Sequence, residues 1–443
     1  MNGHGNGPAL TQVSVGDTVG GQAAVVRAEM AQFEAEGWVP DWYQAPATGA
    51  ARIAAQILDH CVAGSTDTVF DPGTVRTGIE AFQNQFGEYL ASGDPVDVII
   101  LHDPICLTLA PYARRRARIV AWRCHLGHAA PTAEATMAHR ELAPYLDDVD
   151  LIMFSDRSLA WPGLRSDARV VTIPPGTDPA ALKNRELAPD VIDELWSSLA
   201  RGRPFPDAGL PIRPGTPGGD HLIRCGSPSS GDLDTPFLLQ VARWDPLKGH
   251  LGVLAGFAGL ARSDADLELV LLGPRIDPRL SYPTNQAVWD QLEAARERLE
   301  APVRRRVHLW RFTIHERMAE DVLINVAQRK ADTVVQNSRR ESFGLTVTEA
   351  MCKGAVVVGS DAEGIRLQIS HDVNGLLTPY SDGGQAWVET VHRARADATG
   401  RNRWRQGARN SVYQRFTVAQ AVRRQIGIFD ASASQRLAAG VAR

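Results

Sequence analysis

Two carboxylates, Glu341 and Glu349, frame the run ESFGLTVTE with seven residues between them. Gly344, inside that run, lets backbone come close to a ligand, and a helix starting beside it collects partial positive charge on its first amides. Such a loop is a phosphate seat with an acid next to it, extended by Phe343 and Leu345 on either side of the glycine. Glu349, one to two turns into the helix, reaches a different part of a long ligand. A nucleotide sugar, in which a diphosphate joins two hydroxylated rings, would engage all three features. The plainer alternative is that Glu341 caps the helix and Glu349 is a solvated helical position.

Two cations add to this. Arg243 and Lys248 are five positions apart in VARWDPLKG, a spacing at which a turn aims both at one anion. Arginine offers a planar fork and lysine a compact charge, and together they would offset the charge on a departing diphosphate. Two solvated surface cations are the alternative. Gly364, in DAEGI, offers a second glycine turn at a helix start, a common arrangement and a further phosphate contact. No HExxH motif and no Cys/His cluster with ligand spacing is present, so a metal-free reaction without a cofactor is expected.

The elements that must position these groups read as alternating strands and helices. In the second half, strands are expected at 237–241, 267–272, 307–310, 333–336, 355–359 and 375–378, with a helix over 250–260. In the first half they fall at 9–15, 39–44, 96–101, 118–124, 150–154 and 169–173, and residues 49–92 are mostly helical with a break at Asp71-Pro72-Gly73. Apolar strands alternating with helices predict parallel sheets covered on both faces, with ligands at the carboxyl ends of the strands. His102 and His125 both lie at such ends, which favours a site over two structural histidines. Gly20, Gly21 and Gln22, after the first strand, form either a sugar or anion cradle or an ordinary tight turn. Residues 201–236 are dense in Pro, Gly and Ser and predict an excursion without a regular core, and residues 404–429 predict a helix.

Composition bounds the class. The chain of 443 residues is 44% hydrophobic, long enough for two domains, and its 47 basic and 51 acidic residues leave a net charge of −4. That balance gives no electrostatic reason to expect nucleic acid or an anionic membrane as partner. Five dispersed cysteines without a CxxC pair point to a reducing compartment. With no apolar run of membrane-spanning length, a soluble cytoplasmic protein is expected.

The run VVQNSRRESFGLTVTE, followed by AMCKGAVVVGSDAEGI, resembles the signature of retaining glycosyltransferases of family 4. Within it, His102-Asp103-Pro104, Trp122-Arg123-Cys124-His125, IPPGTDP with KNREL following, and VARWDPLKG are similar to successive landmarks of the glycosyltransferring trehalose synthases. The resemblance covers roughly residues 96–380 apart from the Pro/Gly-rich excursion. It implies an α/β GT-B fold, two Rossmann-like doubly wound domains facing across a cleft. Residues 1–185 would form the acceptor-side domain, joined by a crossover helix at about 415–443, and residues 186–414 the nucleotide-sugar domain.

The resemblance also implies roles. Arg243 and Lys248 would bind the diphosphate, Glu341 would contact the donor sugar near its reacting carbon, Glu349 would hold the ribose hydroxyls and His125 would lie beside the donor sugar. The catalytic set would then be Glu341, His125, Arg243 and Lys248, and the acceptor side Gly20, Gly21, Gln22, His102, Asp103, Arg123 and His125. The expected activity is retaining transfer of a sugar, glucose first, from a nucleoside-diphosphate sugar to a small sugar or cyclitol, in a monomer or homodimer. A retaining disaccharide phosphorylase and a catalytically silent nucleotide-sugar-binding protein are the rivals. One departure stands on the acceptor side: Leu126-Gly127-His128 follows His125 where the synthases carry Ile-Asp, so a carboxylate is missing.

Overall fold

The computed structural model describes residues 7–15, 21–65, 67–200, 222–225, 235–276, 283–312 and 317–438. It divides into two compact units, Met1–Thr177 with Phe416–Arg443, and Asp178–Arg415. Each is described by itself.

The first unit is built on β1 (Ala9–Val15), β2 (Val39–Ala45), β3 (Val96–His102), β4 (Ala117–Arg123), β5 (Leu151–Phe154) and β6 (Val170–Thr172), all parallel, in the order β2-β1-β3-β4-β5-β6. The side chains of β3 alternate, so Ile99 and Leu101 enter one core while Val98 and Ile100 enter another on the opposite face. Both faces therefore need helices, which is why the strands read as continuous apolar runs. The first face is covered by the helices Gly49–Val62 and Pro72–Ala91, with Leu58, Ile79 and Phe82. Asp71 caps the second of these, accepting from the Thr74 amide at 2.8 Å, and Pro72 occupies its first turn, where no amide donor is needed. On the opposite face, Phe33 and Trp38 pack with Val418, Val422 and Phe429 of the helix Val418–Ala438.

The second unit carries β7 (Leu222–Cys225), β8 (Phe237–Val241), β9 (Glu268–Pro274), β10 (Val307–Phe312), β11 (Thr333–Gln336), β12 (Val357–Ser360) and β13 (Leu376–Thr378), in the order β13-β12-β11-β8-β9-β10-β7. All neighbours pair in parallel except β7, which runs antiparallel along β10. This strand falls inside the stretch 201–236 expected to lack regular structure. LIRC is a short apolar segment that the surrounding Pro and Gly mask in any window average; residues 201–221 and 226–234 lie outside the described residues.

Two further expectations are corrected. The helical stretch 404–429 is two helices, Ala398–Arg415 and Val418–Ala438. The break is a capping box: the Thr417 hydroxyl accepts from the Gln420 amide at 3.4 Å and the Gln420 carboxamide accepts from the Thr417 amide at 3.0 Å. Residues 178–185, read from sequence with the first domain, belong to the second unit, because Asn325 Nδ2 donates to the carbonyls of Leu182 at 2.8 Å and Arg185 at 3.0 Å.

The C-terminal helix is bound by its apolar stripe, and Phe429, 1% exposed, packs its ring against Trp38 at 5.9 Å between centroids. Truncating it leaves a cavity in this cluster. Phe429→Ala is expected to lower unfolding stability by about 3–5 kcal/mol, read from denaturant titration.

Candidate active site

In the second unit the strand order reverses between β8 and β11, whose following chain segments depart in opposite directions across the sheet. Ligands of open parallel sheets sit at such switch points, outside the carboxyl ends of the strands. The loop after β8 carries Arg243 and Lys248, and the loop after β11 carries Glu341.

Buried polar groups on the strands fix the first loop. Gln240, fully buried on β8, donates from Nε2 to the Lys248 carbonyl at 3.1 Å and lies 2.7 Å from His250 Nδ1, while its Oε1 accepts from the Asn337 amide at 3.1 Å. His250 Nε2 lies 2.8 Å from the Arg243 carbonyl, an acceptor only, so Nε2 carries the proton and Nδ1 accepts from Gln240. Burial lowers the His250 pKa to about 4, which keeps the ring neutral and preserves this pattern. One glutamine and one histidine thus pin both ends of the Arg243–Lys248 turn.

The second loop meets the first through an ion pair. Lys248 Nζ lies 2.7 Å from Glu341 Oε2, with side-chain exposures of 17% and 9%. Ser338 Oγ donates to the same oxygen at 3.0 Å and receives from Gln336 Nε2 at 2.9 Å. Gly344 adopts φ of +88° and caps the helix Leu345–Cys352, so its left-handed backbone is one that glycine tolerates best. Phe343 is buried, and its carbonyl accepts from Gln368, as do those of Gly344 at 3.3 Å and Gly364 at 3.1 Å. The Gly364 amide donates to the Glu341 carbonyl at 2.7 Å, and a Cβ at Gly364 would lie 2.4 Å from Phe343 Cα. The two glycine turns singled out in the sequence are therefore in contact. Arg243 is half-exposed with its guanidinium 3.1 Å from Asp245.

Glu349 is buried in the same helix. Lys183 lies 3.0 Å from its Oε1, and Oε2 has no partner among the described residues. Burial alone would lower the Lys183 pKa; the charge of Glu349 and the hydrogen bond to it raise it above the ordinary value. Beneath them Lys353 Nζ donates to Asn184 Oδ1 at 3.0 Å, Gln328 Oε1 at 2.9 Å and the Glu349 carbonyl at 3.1 Å. Burial brings the Lys353 pKa down to about 7.

In the first unit the order reverses between β1 and β3, and polar residues collect at that point too. His102 Nδ1 lies 2.9 Å from His125 Nε2, and His102 Nε2 lies 2.8 Å from Gln12 Oε1. Asp103 takes φ of +65°, accepts from the His125 amide at 3.3 Å and, through its carbonyl, from Trp122 Nε1 at 3.0 Å. A non-glycine residue in that region is a strained position of the kind that collects at functional sites. The Arg123 side chain is buried; its Nη1 donates to both oxygens of Glu29 at 2.7 Å, its Nη2 has no partner among the described residues, and its charge lowers the pKa of both histidines. Gln22 Nε2 is buried without a partner among the described residues, and Gly21 opens the helix Gly21–Ala35. Gly20 lies outside the described residues.

Residues 228–411 match the family described as "Glycosyl transferases group 1", and residues 13–160 match "Trehalose synthase, N-terminal domain". The chain thus joins a group 1 glycosyl transferase domain to a trehalose synthase N-terminal domain. The trehalose synthase of Thermococcus litoralis is 26% identical over 338 residues, 75% of this chain and 69% of that protein. The sucrose-phosphate synthase structure from Thermosynechococcus elongatus superposes with a TM-score of 0.68 at 19% identity, covering 97% of this chain and 100% of that one. Anabaena Alr3699/HepE in complex with UDP-glucose gives 0.65 at 14%, covering 96% and 99%. The architecture of this glycosyltransferase is GT-B.

Several residues of the site carry roles that the sequence did not single out. Glu29 stands four residues before Phe33 and three after Val26 on the apolar stripe of its helix, a position where an acid needs a buried partner. Gln12 and Gln240 are amides inside otherwise apolar strands. Lys183 and Asn184 open the KNREL landmark, and Lys353 closes the helix of Glu349.

Asp103 sets a pH signature for the enzyme. Burial pushes its pKa up to about 7, against the backbone hydrogen bond from His125 and the charge of Arg123, which both act downward. The folded state then holds a proton that the unfolded chain releases near the ordinary carboxyl value. The stabilisation is full below that value and is lost as pH rises through about 7. Between pH 4 and 7 the unfolding free energy of the wild type should therefore fall relative to Asp103→Asn; parallel curves for the two proteins would contradict this.

Proposed function

We propose that this glycosyltransferase moves a sugar, glucose first, from a nucleoside-diphosphate sugar to a small hydroxylated acceptor, with retention of configuration. The observation that carries the reading is the Lys248–Glu341 contact of 2.7 Å beside the glycine-capped helix start at Gly344. A cation, a carboxylate and a helix start at one switch point suit a sugar joined to a diphosphate. The same fold holds UDP-glucose in the Anabaena protein.

In this mechanism Lys248, Arg243 and the amides after Gly344 stabilise the charge of the leaving diphosphate. Glu341 orients the donor sugar and favours the cationic character of its reacting carbon. A phosphate oxygen takes the acceptor proton, so transfer proceeds on the face the diphosphate leaves and needs no dedicated protein base. Glu349 receives the ribose hydroxyls after exchanging its contact with Lys183. The polar strand ends of the first unit, His102, Asp103 and His125, serve the acceptor side, and a sugar or a cyclitol suits their hydrogen bonding.

The test is incubation with nucleoside-diphosphate sugars and a panel of acceptors including glucose, with the anomeric configuration of the product read by NMR. A retained configuration is expected; an inverted product would sink the mechanism, and phosphate-dependent cleavage of trehalose without nucleotide would give the phosphorylase instead. Lys248→Ala should lower kcat by about 10²–10³, while Glu341→Gln, which keeps the shape and removes the charge, should lower kcat more than it changes donor affinity. Full turnover in Glu341→Gln would remove that residue from the chemistry.

A further inference from the structure

We propose that Gln12 and His102 are positioning residues that hold His125 in one tautomer, with its Nδ1 lone pair available to accept a hydrogen bond from a substrate hydroxyl. The inference rests on the sugar-transfer reading for its kinetic consequence, and on hydrogen-bond geometry with the burial of both rings for the tautomer.

The chain of logic starts at Gln12, fully buried on β1. Its Oε1 can only accept, and it lies 2.8 Å from His102 Nε2, so that nitrogen carries the proton. In a neutral ring His102 Nδ1 then holds the lone pair. His125 Nε2, 2.9 Å away, must therefore carry a proton and donate it to that lone pair. What is left on His125 is the Nδ1 lone pair. The two rings are inclined by 7° with centroids 5.2 Å apart. With their nitrogens 2.9 Å apart, that separation places the rings edge to edge near a common plane, as an in-line N–H···N bond requires, and not face to face.

Both rings stay neutral for stated reasons. Burial first, and the Arg123 guanidinium second, hold His102 and His125 well below the usual imidazole range, and His102 adds to the effect on His125. Arg123 is itself fixed by Glu29. The backbone of His125 is tied down through its amide to Asp103. His102 has no exposure, whereas His125 keeps some surface, so the polarity set at Gln12 is delivered at the more exposed end of the relay.

The consequence is a selection by chemical class. A neutral ring presenting a lone pair favours a hydroxyl donor and disfavours a phosphate or carboxylate at the same place; an imidazolium, or the opposite tautomer, would do the reverse.

The experiment labels histidine with 15N and reads the protonated and lone-pair ring nitrogens from long-range 1H–15N spectra of the full chain, with His125→Asn supplying the assignment. In the wild type His125 should be protonated at Nε2 and bare at Nδ1. Gln12→Glu, which still accepts from His102, should keep this pattern. Gln12→Leu should leave His125 as a mixture of tautomers or invert it, and should lower kcat/KM for sugar transfer by about tenfold, the scale of one lost hydrogen bond, with an unchanged circular dichroism spectrum. A wild-type His125 protonated at Nδ1, or a Gln12→Leu variant whose tautomer is unaltered, overturns the proposal. Should Gln12→Leu not fold, the wild-type and Gln12→Glu spectra decide. The expected spectra without sugar transfer in the wild type would uphold the relay and reject the transfer reading.

Discussion

Parallel strand pairing imposes the constraint on which both units depend. A parallel neighbour is reached only by a crossover that covers one face of the sheet, and where consecutive crossovers change face, two adjacent strand ends are left with nothing packed between them. In the first unit that gap opens between β1 and β3, in the second between β8 and β11. Gln12, His102 and Asp103 stand beside the first, and Arg243, Lys248 and Glu341 beside the second. The apolar runs that make the sheets therefore also determine where polar groups can stand with access to a ligand.

The two gaps are furnished by a common device. Each unit places a glutamine on the first of the two strands that border its gap, Gln12 on β1 and Gln240 on β8, and each of these amides bonds a histidine from a neighbouring segment. A carboxamide can give and take at once, so it fixes the direction of hydrogen bonding in its partner as well as its position. In the second unit the direction is settled by the Asn337 amide and the Arg243 carbonyl. The histidine there holds a loop; in the first unit it is the start of a relay.

The fold was legible because strand and helix periods are carried by many residues at once. β1, β8 and β11 have the bounds that their apolar runs suggest, and Asp71-Pro72 marks a helix start by local rules alone. The break at Thr417 was equally local, a T-x-x-Q box, but an apolar stripe running through it concealed the turn. β7 was hidden for the opposite reason, four residues within a polar and proline-rich stretch. At the site, Lys248 and Glu341 were recognisable by type and spacing, and the structure brings them into contact across 93 positions of sequence. Their supports were not recognisable. Gln368, Gln12 and Glu29 matter through partners far along the chain, and pairing at such range leaves no periodic mark.

The side chain of Gln368 touches the carbonyls of Phe343, Gly344 and Gly364, and its oxygen receives the hydroxyl of Thr348. One amide therefore rivets a loop to two neighbouring helix starts before any guest arrives. A berth already frozen in shape loses little freedom when it is filled, so capture need not wait for the loop to assemble, and a mismatched guest finds walls that do not bend toward it.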